Sequence, residues 1–287
     1  MRFCYLSISL FLKSLYLITQ PAYAIELDSK QKALIQSQGA AGISLIIEES
    51  GINFTTSKDL EVFVSEVISA QLSKSSSIDD ISQITTETMI VVLNPTILDN
   101  MDNDLAVEAF TSGTSKGIIG AANASDIDIA TAIETSSFST IVTAIDLVIA
   151  NNASDSEITQ IIAAASSGST AGAFTGSVEI EVEPTNQIEA ASAGSAKGAI
   201  FATSLLSKSS TSSKLDLTPS VAVEASSAGS AEGAVEASFL ADFDFTIFAE
   251  AASSGSAAGA IEASVDVGAD VADSVEAASA GSAQGVV

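Results

Sequence analysis

The stretch Ala251-Ala252-Ser253-Ser254-Gly255-Ser256-Ala257-Ala258-Gly259-Ala260-Ile261-Glu262 recurs in close copies along most of the chain, and it constrains the fold more than any other feature. In each copy a small residue is followed four and eight positions later by glycine. Such strips occur at Ala109/Gly113/Gly117, Ala164/Gly168/Gly172, Ala190/Gly194/Gly198, Ala225/Gly229/Gly233, Ala251/Gly255/Gly259 and Ala277/Gly281/Gly285. Thr135/Ser139/Thr143 is a degenerate copy, with small hydroxyl residues in place of glycine. Successive copies lie 26, 29, 26, 35, 26 and 26 residues apart, the kind of period that marks repeat architectures. On a helix, residues four apart share a face. That face is therefore a smooth strip of Ala and Gly on which a second main chain can come close.

The strip has an energetic consequence. Each helix-interior glycine costs about 0.8–1.0 kcal/mol relative to Ala, so six copies forgo roughly 10 kcal/mol of intrinsic helix stability. That deficit is comparable to the whole net stability of a domain. Compensation has to come from dense main-chain contact between neighbouring units or between subunits, through dispersion and weak Cα–H···O bonds.

The first residues read as a secretory signal peptide over 1–24: Met1-Arg2, an apolar run interrupted by Lys13, then the small-x-small site Ala22-Tyr23-Ala24. A retained anchor is the alternative, although the uninterrupted apolar run falls short of the roughly 20 residues that span a bilayer. Removing the segment takes away Cys4, Arg2 and all three tyrosines, and the chain has no His or Trp. The exported form then lacks Arg, Cys, His, Tyr and Trp altogether. Ordinary structural zinc sites, iron–sulfur clusters, thiol nucleophiles, Ser-His-Asp triads and disulfides are excluded on that ground. Neither a cofactor nor a metal ligand set is expected. The net charge of −26 repels phosphate backbones, so nucleic acid is not expected as a partner.

The sequence predicts a mainly all-α fold: a helical repeat array of glycine-zipper helices in units of about 26 residues over 95–287, preceded by a helical cap or small domain over 25–94. Within that cap, apolar spacing predicts helices over 31–49, 58–74 and 81–93, closed by Gly51 and by Asn94-Pro95. Caps are expected at Thr55-Thr56-Ser57, at Ser77, at Ser125 and Ser154 in the recurring Asn-Ala-Ser-Asp, and at Thr218-Pro219 and Pro184. Alternation of apolar and acidic or polar residues leaves short strands open at 178–182 and 239–248. Residues 207–213 read as a loop. The acidic run 99–104 fails as a calcium loop for want of glycine at position six and glutamate at twelve, and reads as a solvated helix entry. From Pro219 on there are eleven acids and no Lys. The last strip, ending at Val286-Val287, is expected to be covered by another molecule or to continue in a longer chain.

These features point to an exported, non-enzymatic structural or interaction protein. It would self-associate through its Ala/Gly strips as a homo-oligomer or bind a surface or matrix partner, at the periplasm, cell surface or exterior, with weak divalent-cation binding open. A membrane-active protein is the alternative class, since small-xxx-small spacing also serves helices in bilayers; Glu residues flanking the strips, such as Glu250 and Glu262, oppose insertion. An enzyme would have to rely on carboxylate pairs or on Ser29 with Lys32, with no strained turn or phosphate loop beside them. Ice or mineral binding would need a stricter Thr spacing than the chain has.

Overall fold

Among the described residues, the local sequence punctuates the chain into successive helices. The computed structural model describes residues 26–72, 77–93, 101–123, 127–208 and 217–287, and among them there are eleven α-helices and no strand. They are α1 (Ser29–Gln38), α2 (Ala40–Ser50), α3 (Ser57–Leu72), α4 (Ile78–Val92), α5 (Asn103–Asn123), α6 (Ile129–Ala150), α7 (Asp155–Glu179), α8 (Thr185–Lys208), α9 (Pro219–Leu240), α10 (Phe245–Val267) and α11 (Val271–Gly285). The leader assigned to 1–24 lies outside the described residues, as does most of the 207–213 loop; Ser207 and Lys208 still belong to α8.

Helix starts follow the capping chemistry. Ser154 Oγ accepts from Glu157 N–H at 3.3 Å while the Glu157 carboxylate accepts from Ser154 N–H at 2.7 Å, a complete capping box. Thr56, Ser77 and Thr218 cap α3, α4 and α9, the last with Pro219 in the first turn. Pro184 stands just ahead of α8, where its carbonyl accepts from Ile188 N–H. Two expectations need correction. The helix predicted over 31–49 is two helices, because Gly39 turns the chain with φ 56° and ψ −131° between α1 and α2. Ser125 falls outside the described residues, and α6 is capped by Asp128, whose carboxylate accepts from Thr131 N–H at 2.7 Å.

The strands left open at 178–182 and 239–248 are also corrected: both stretches are a helix end, a turn and the next start. Helices α6, α7 and α9 end alike. Ala153, Val182 and Phe243 donate their N–H to the carbonyls of Val148, Ser177 and Ser238, at 3.1, 2.9 and 2.9 Å. The preceding residues, Asn152, Glu181 and Asp242, donate to Ile149, Val178 and Phe239 and sit left-handed at φ 62°, 60° and 62°. This double bond is the Schellman closure, which satisfies carbonyls that a helix otherwise leaves free. The alternating pattern arises because an apolar residue follows the turn and folds back: Phe243 meets the rings of Phe174 and Phe248, at 5.5 and 6.2 Å between centroids.

Tight turns place consecutive helices side by side, but the most extensive packing skips one. Helix α5 lies on α3, α7 on α5, α9 on α7 and α11 on α9, while α6 lies on α4, α8 on α6 and α10 on α8. The first two helices lie against α3 and α4. Large side chains fill the space between the two rows. Phe54, Phe63, Phe110, Ile118 and Ile141 are fully buried in a core that runs from Leu27 to Ala222. Towards the C-terminus it gives way to two smaller clusters, Phe174–Phe248 with Ile188, and Ile200 with Val223, both bedded in alanine.

Glu181 is an exposed, non-glycine residue in the left-handed region, where an L side chain costs about 1–2 kcal/mol. Glu181→Gly should therefore raise stability by about 0.5–1 kcal/mol after the added unfolded-state entropy is set against it. Urea unfolding of the two forms reads the difference.

Candidate functional site

The residues singled out by the sequence are the strip glycines, and their surroundings are uniform. A methyl added at Gly113 or Gly117 on α5 would fall within 3.0 Å of the carbonyl oxygens of Glu61 or Ser65 on α3. The same holds for Gly168 and Gly172 against Glu108 and Ser112, and for Gly194 and Gly198 against Glu134 and Phe138. It holds again for Gly229 and Gly233 against Ala163 and Ser167, for Gly255 and Gly259 against Glu189 and Ala193, and for Gly281 and Gly285 against Glu224 and Ala228. In every pair the seat lies on the helix two places earlier. Because the vector that would carry a Cβ points at a carbonyl oxygen, the hydrogen in its place is aimed to form a weak Cα–H···O contact. The leading alanines are smaller participants: Ala109, Ala190, Ala251 and Ala277 are buried, while Ala164 and Ala225 are partly exposed.

The hydroxyl copy on α6 seats differently. Ser139 Oγ lies 2.8 Å from Ser82 Oγ and Thr143 Oγ1 lies 3.3 Å from Thr86 Oγ1, both partners on α4. Here a hydrogen bond between side chains takes the place of main-chain contact.

A polar edge accompanies the glycines, and the sequence alone did not reveal it. At five of the six glycine seats the residue at the start of the seat is glutamate, and it accepts from the residue immediately before a strip glycine. Lys116, ahead of Gly117, reaches Glu61 at 2.8 Å. Ser167, ahead of Gly168, donates to Glu108 at 2.8 Å, and Ser254, ahead of Gly255, donates to Glu189 at 3.1 Å. Gln284, ahead of Gly285, donates to Glu224 at 2.5 Å, and Lys197, ahead of Gly198, pairs with Glu134. Lys197 also reaches Glu262 at 2.6 Å, and Lys116 reaches Glu179 at 3.2 Å. At the sixth seat Ala163 stands where the others have glutamate, and the residues ahead of Gly229 and Gly233 are Ala228 and Glu232, neither of them a side-chain donor. Donor and acceptor are lost together.

Titration of these groups follows their partners. Burial opposes ionisation of Glu61, but the attraction and hydrogen bond of Lys116, with Lys58 behind them, prevail and hold the carboxyl below its usual range. Burial likewise works against the ammonium groups of Lys116 and Lys197, and their glutamate partners overcome it and raise both. Glu108 has only the Ser167 hydroxyl; burial, assisted by Glu236, Glu232 and Asp104, pushes it up. It borders a groove of about 450 Å³ whose walls include Lys58, Lys116, Glu236 and Leu240.

Of the other sequence candidates, Ser29 and Lys32 both stand in α1, three residues apart. Lys32 is paired with Glu66 at 3.3 Å. Among the described residues no group of three or more His, Cys, Asp or Glu is placed to hold a metal ion. One described helix, α6, is long and apolar enough to cross a membrane, and about half of its apolar window is buried in the protein. Comparison with protein-family models, curated proteins and solved structures finds no match.

Two substitutions separate a seated glycine from a free one. Gly229→Ala would drive a methyl into the Ala163 carbonyl and should destabilise by about 2 kcal/mol or more. Gly120→Ala, where nothing lies within 4 Å, should stabilise by about 0.5–1 kcal/mol. Thermal unfolding of both variants checks the pair.

The carboxylates give a signed pH test. Glu61 has a depressed folded pKa, so its contribution is present above the reference value of 4.5 and is lost as pH falls through the lower folded value. Glu61→Gln should lower Tm at pH 7, with a deficit that closes below pH 4.5. Glu108 has a raised folded pKa, so its cost is present at neutral pH and vanishes as pH falls to 4.5. Glu108→Gln should raise Tm at pH 7, and the gain should shrink over that descent.

Proposed function

We propose that this chain is an exported, non-enzymatic structural or interaction protein, a helical repeat array closed by glycine zippers and bearing an acidic exterior. The observation that carries the reading is the recurrence of one seat: two glycines on a carbonyl pair two helices back, with a glutamate held by the residue before a glycine. Elements that use the same contact repeatedly build extended surfaces, as stacked-repeat proteins do. Since the strips are spent on the chain's own main chain, association with a homo-oligomeric or matrix partner falls to helix faces outside the strips. The apolar leader over 1–24 supports export, and the acid-rich stretch from Pro219 on supports a solvated surface.

A membrane-active protein is the second reading, favoured by the length and apolarity of α6. The two are separated with residues 25–287, purified and mixed with phosphatidylcholine and phosphatidylglycerol vesicles loaded with a quenched dye. The structural reading expects a helical chain that stays in the aqueous phase and releases no dye. Co-sedimentation with vesicles accompanied by leakage would overturn it in favour of the membrane reading.

A further inference from the structure

We propose that the groove between α5, α7 and α9 is a binding site for a primary ammonium group on an alkyl stem, held between the carboxylates of Glu108 and Glu236. The site goes beyond the structural reading above and requires neither export nor a partner protein.

The even-numbered helices show such a slot when it is filled. Glu134 on α6 offers its carbonyl to the first strip glycine of α8, Gly194. Lys197 immediately precedes the second strip glycine, Gly198, and Glu262 stands three residues after the second strip glycine of α10, Gly259. The Lys197 ammonium joins the two carboxylates, pairing with Glu134 and reaching Glu262 at 2.6 Å. Successive helices of one row thus hold an ammonium between two carboxylates, an arrangement of charge-assisted hydrogen bonds.

The odd-numbered helices repeat the frame without the ammonium. Glu108 on α5 offers its carbonyl to the first strip glycine of α7, Gly168. Glu236 stands three residues after the second strip glycine of α9, Gly233. The two carboxylates therefore occupy the positions of Glu134 and Glu262. The residue before Gly172, the position of Lys197, is Ala171. Glu108, Ala171 and Glu236 line one groove of about 450 Å³.

Among the described residues no lysine joins this pair. Lys58 and Lys116 also line the groove, but Lys58 is paired with Glu61 at 3.2 Å, and Lys116 lies between Glu61 and Glu179. Glu108 accepts from the Ser167 hydroxyl at 2.8 Å, a neutral donor. Burial comes first in pushing the Glu108 carboxyl up, and the charge of Glu236 adds to it ahead of Glu232 and Asp104. An ammonium between the two acids would remove that repulsion.

The walls set the rest of the ligand. Relative to lysine, Ala171 lacks Cγ, Cδ, Cε and Nζ, and a short alkylamine supplies the same atoms. Leu105 and Leu240 line the groove and are 47% and 76% exposed. An alkyl stem gains apolar contact with them while its charged end meets the acids.

Butylammonium chloride and Nα-acetyl-lysine methylamide, the second presenting the same group on a peptide unit, are titrated into the full chain by calorimetry, with butanol as the uncharged control. Saturable binding of at least one amine is expected, and none of butanol; the tighter amine names the source as a free amine or a peptide lysine. Glu236→Gln, at an exposed site that leaves folding intact, should weaken binding about ten-fold, and Glu108→Gln should do the same. Ala171→Lys should abolish binding by supplying the ammonium internally. Failure of both amines to bind, or binding that Glu236→Gln and Ala171→Lys leave unchanged, would overturn the proposal. So would equal binding of butanol, since the groove would then select apolar bulk and not charge. Vesicle leakage bears on the structural reading alone, so either conclusion can fail without the other.

Discussion

The contact on which this molecule depends is between main chains. A glycine Cα set against the carbonyl of another helix requires the two axes to come closer than side chains normally permit, and twelve glycines make that demand at six seats. Each glycine weakens its own helix, by about 1 kcal/mol against alanine, so the seats must return at least that much through dispersion and weak Cα–H···O contacts. Little else is available near the C-terminus, where the last cluster holds Ile200 and Val223 among alanines. Apolar area scales with side-chain size, and alanine supplies little of it. Fit therefore replaces area there, which is why even one methyl at a seat has no room.

Smoothness creates a second problem, that of register. A strip with a small residue every fourth position looks almost the same after a slip of four residues, about 6 Å along the helix. Main-chain contacts alone do not distinguish the two alignments. The glutamate at the start of five of the six seats does, because it meets its donor when the strip is in place. In the partly buried pairs, such as Lys116 with Glu61, attraction is set against the cost of desolvation, so their role is better understood as fixing alignment than as stabilisation. At the Ala163 seat, where the pair is missing, other polar bonds hold the alignment: Ser166 Oγ lies 3.0 Å from Ser226 Oγ, and Thr170 Oγ1 donates to the Ser230 carbonyl at 3.0 Å.

Helical character was legible from spacing, and so were most starts, because a serine or threonine ahead of an acidic turn specifies them locally. What sequence could not convey was the skip. A strip tells that a close neighbour exists without saying which, and short closures such as Asn151-Asn152-Ala153 put the next helix alongside on a different face. Glutamate five residues before glycine is plainly written in Glu189/Gly194, Glu224/Gly229, Glu250/Gly255 and Glu276/Gly281. Its meaning is hidden, since the donor lies about 60 residues further on. The alternation at 178–182 and 239–248 misled for a physical reason: a left-handed residue between a helix end and a returning apolar side chain produces the same period as a strand. Gly39 was missed because one glycine inside an apolar pattern is tolerated unless its φ turns positive.

The acidic exterior bears on the same geometry. A row built from small residues offers flat ridges that any other flat helix could approach, and a neutral chain of this composition would have little to prevent lateral association. Net charge of −26 opposes approach by further copies at long range, while a ridge glutamate rewards only an approaching helix that supplies a donor. Selectivity between the helices of this chain therefore resides in the polar residue beside the glycine: the glycine admits the neighbouring main chain, and the residue before it decides the alignment.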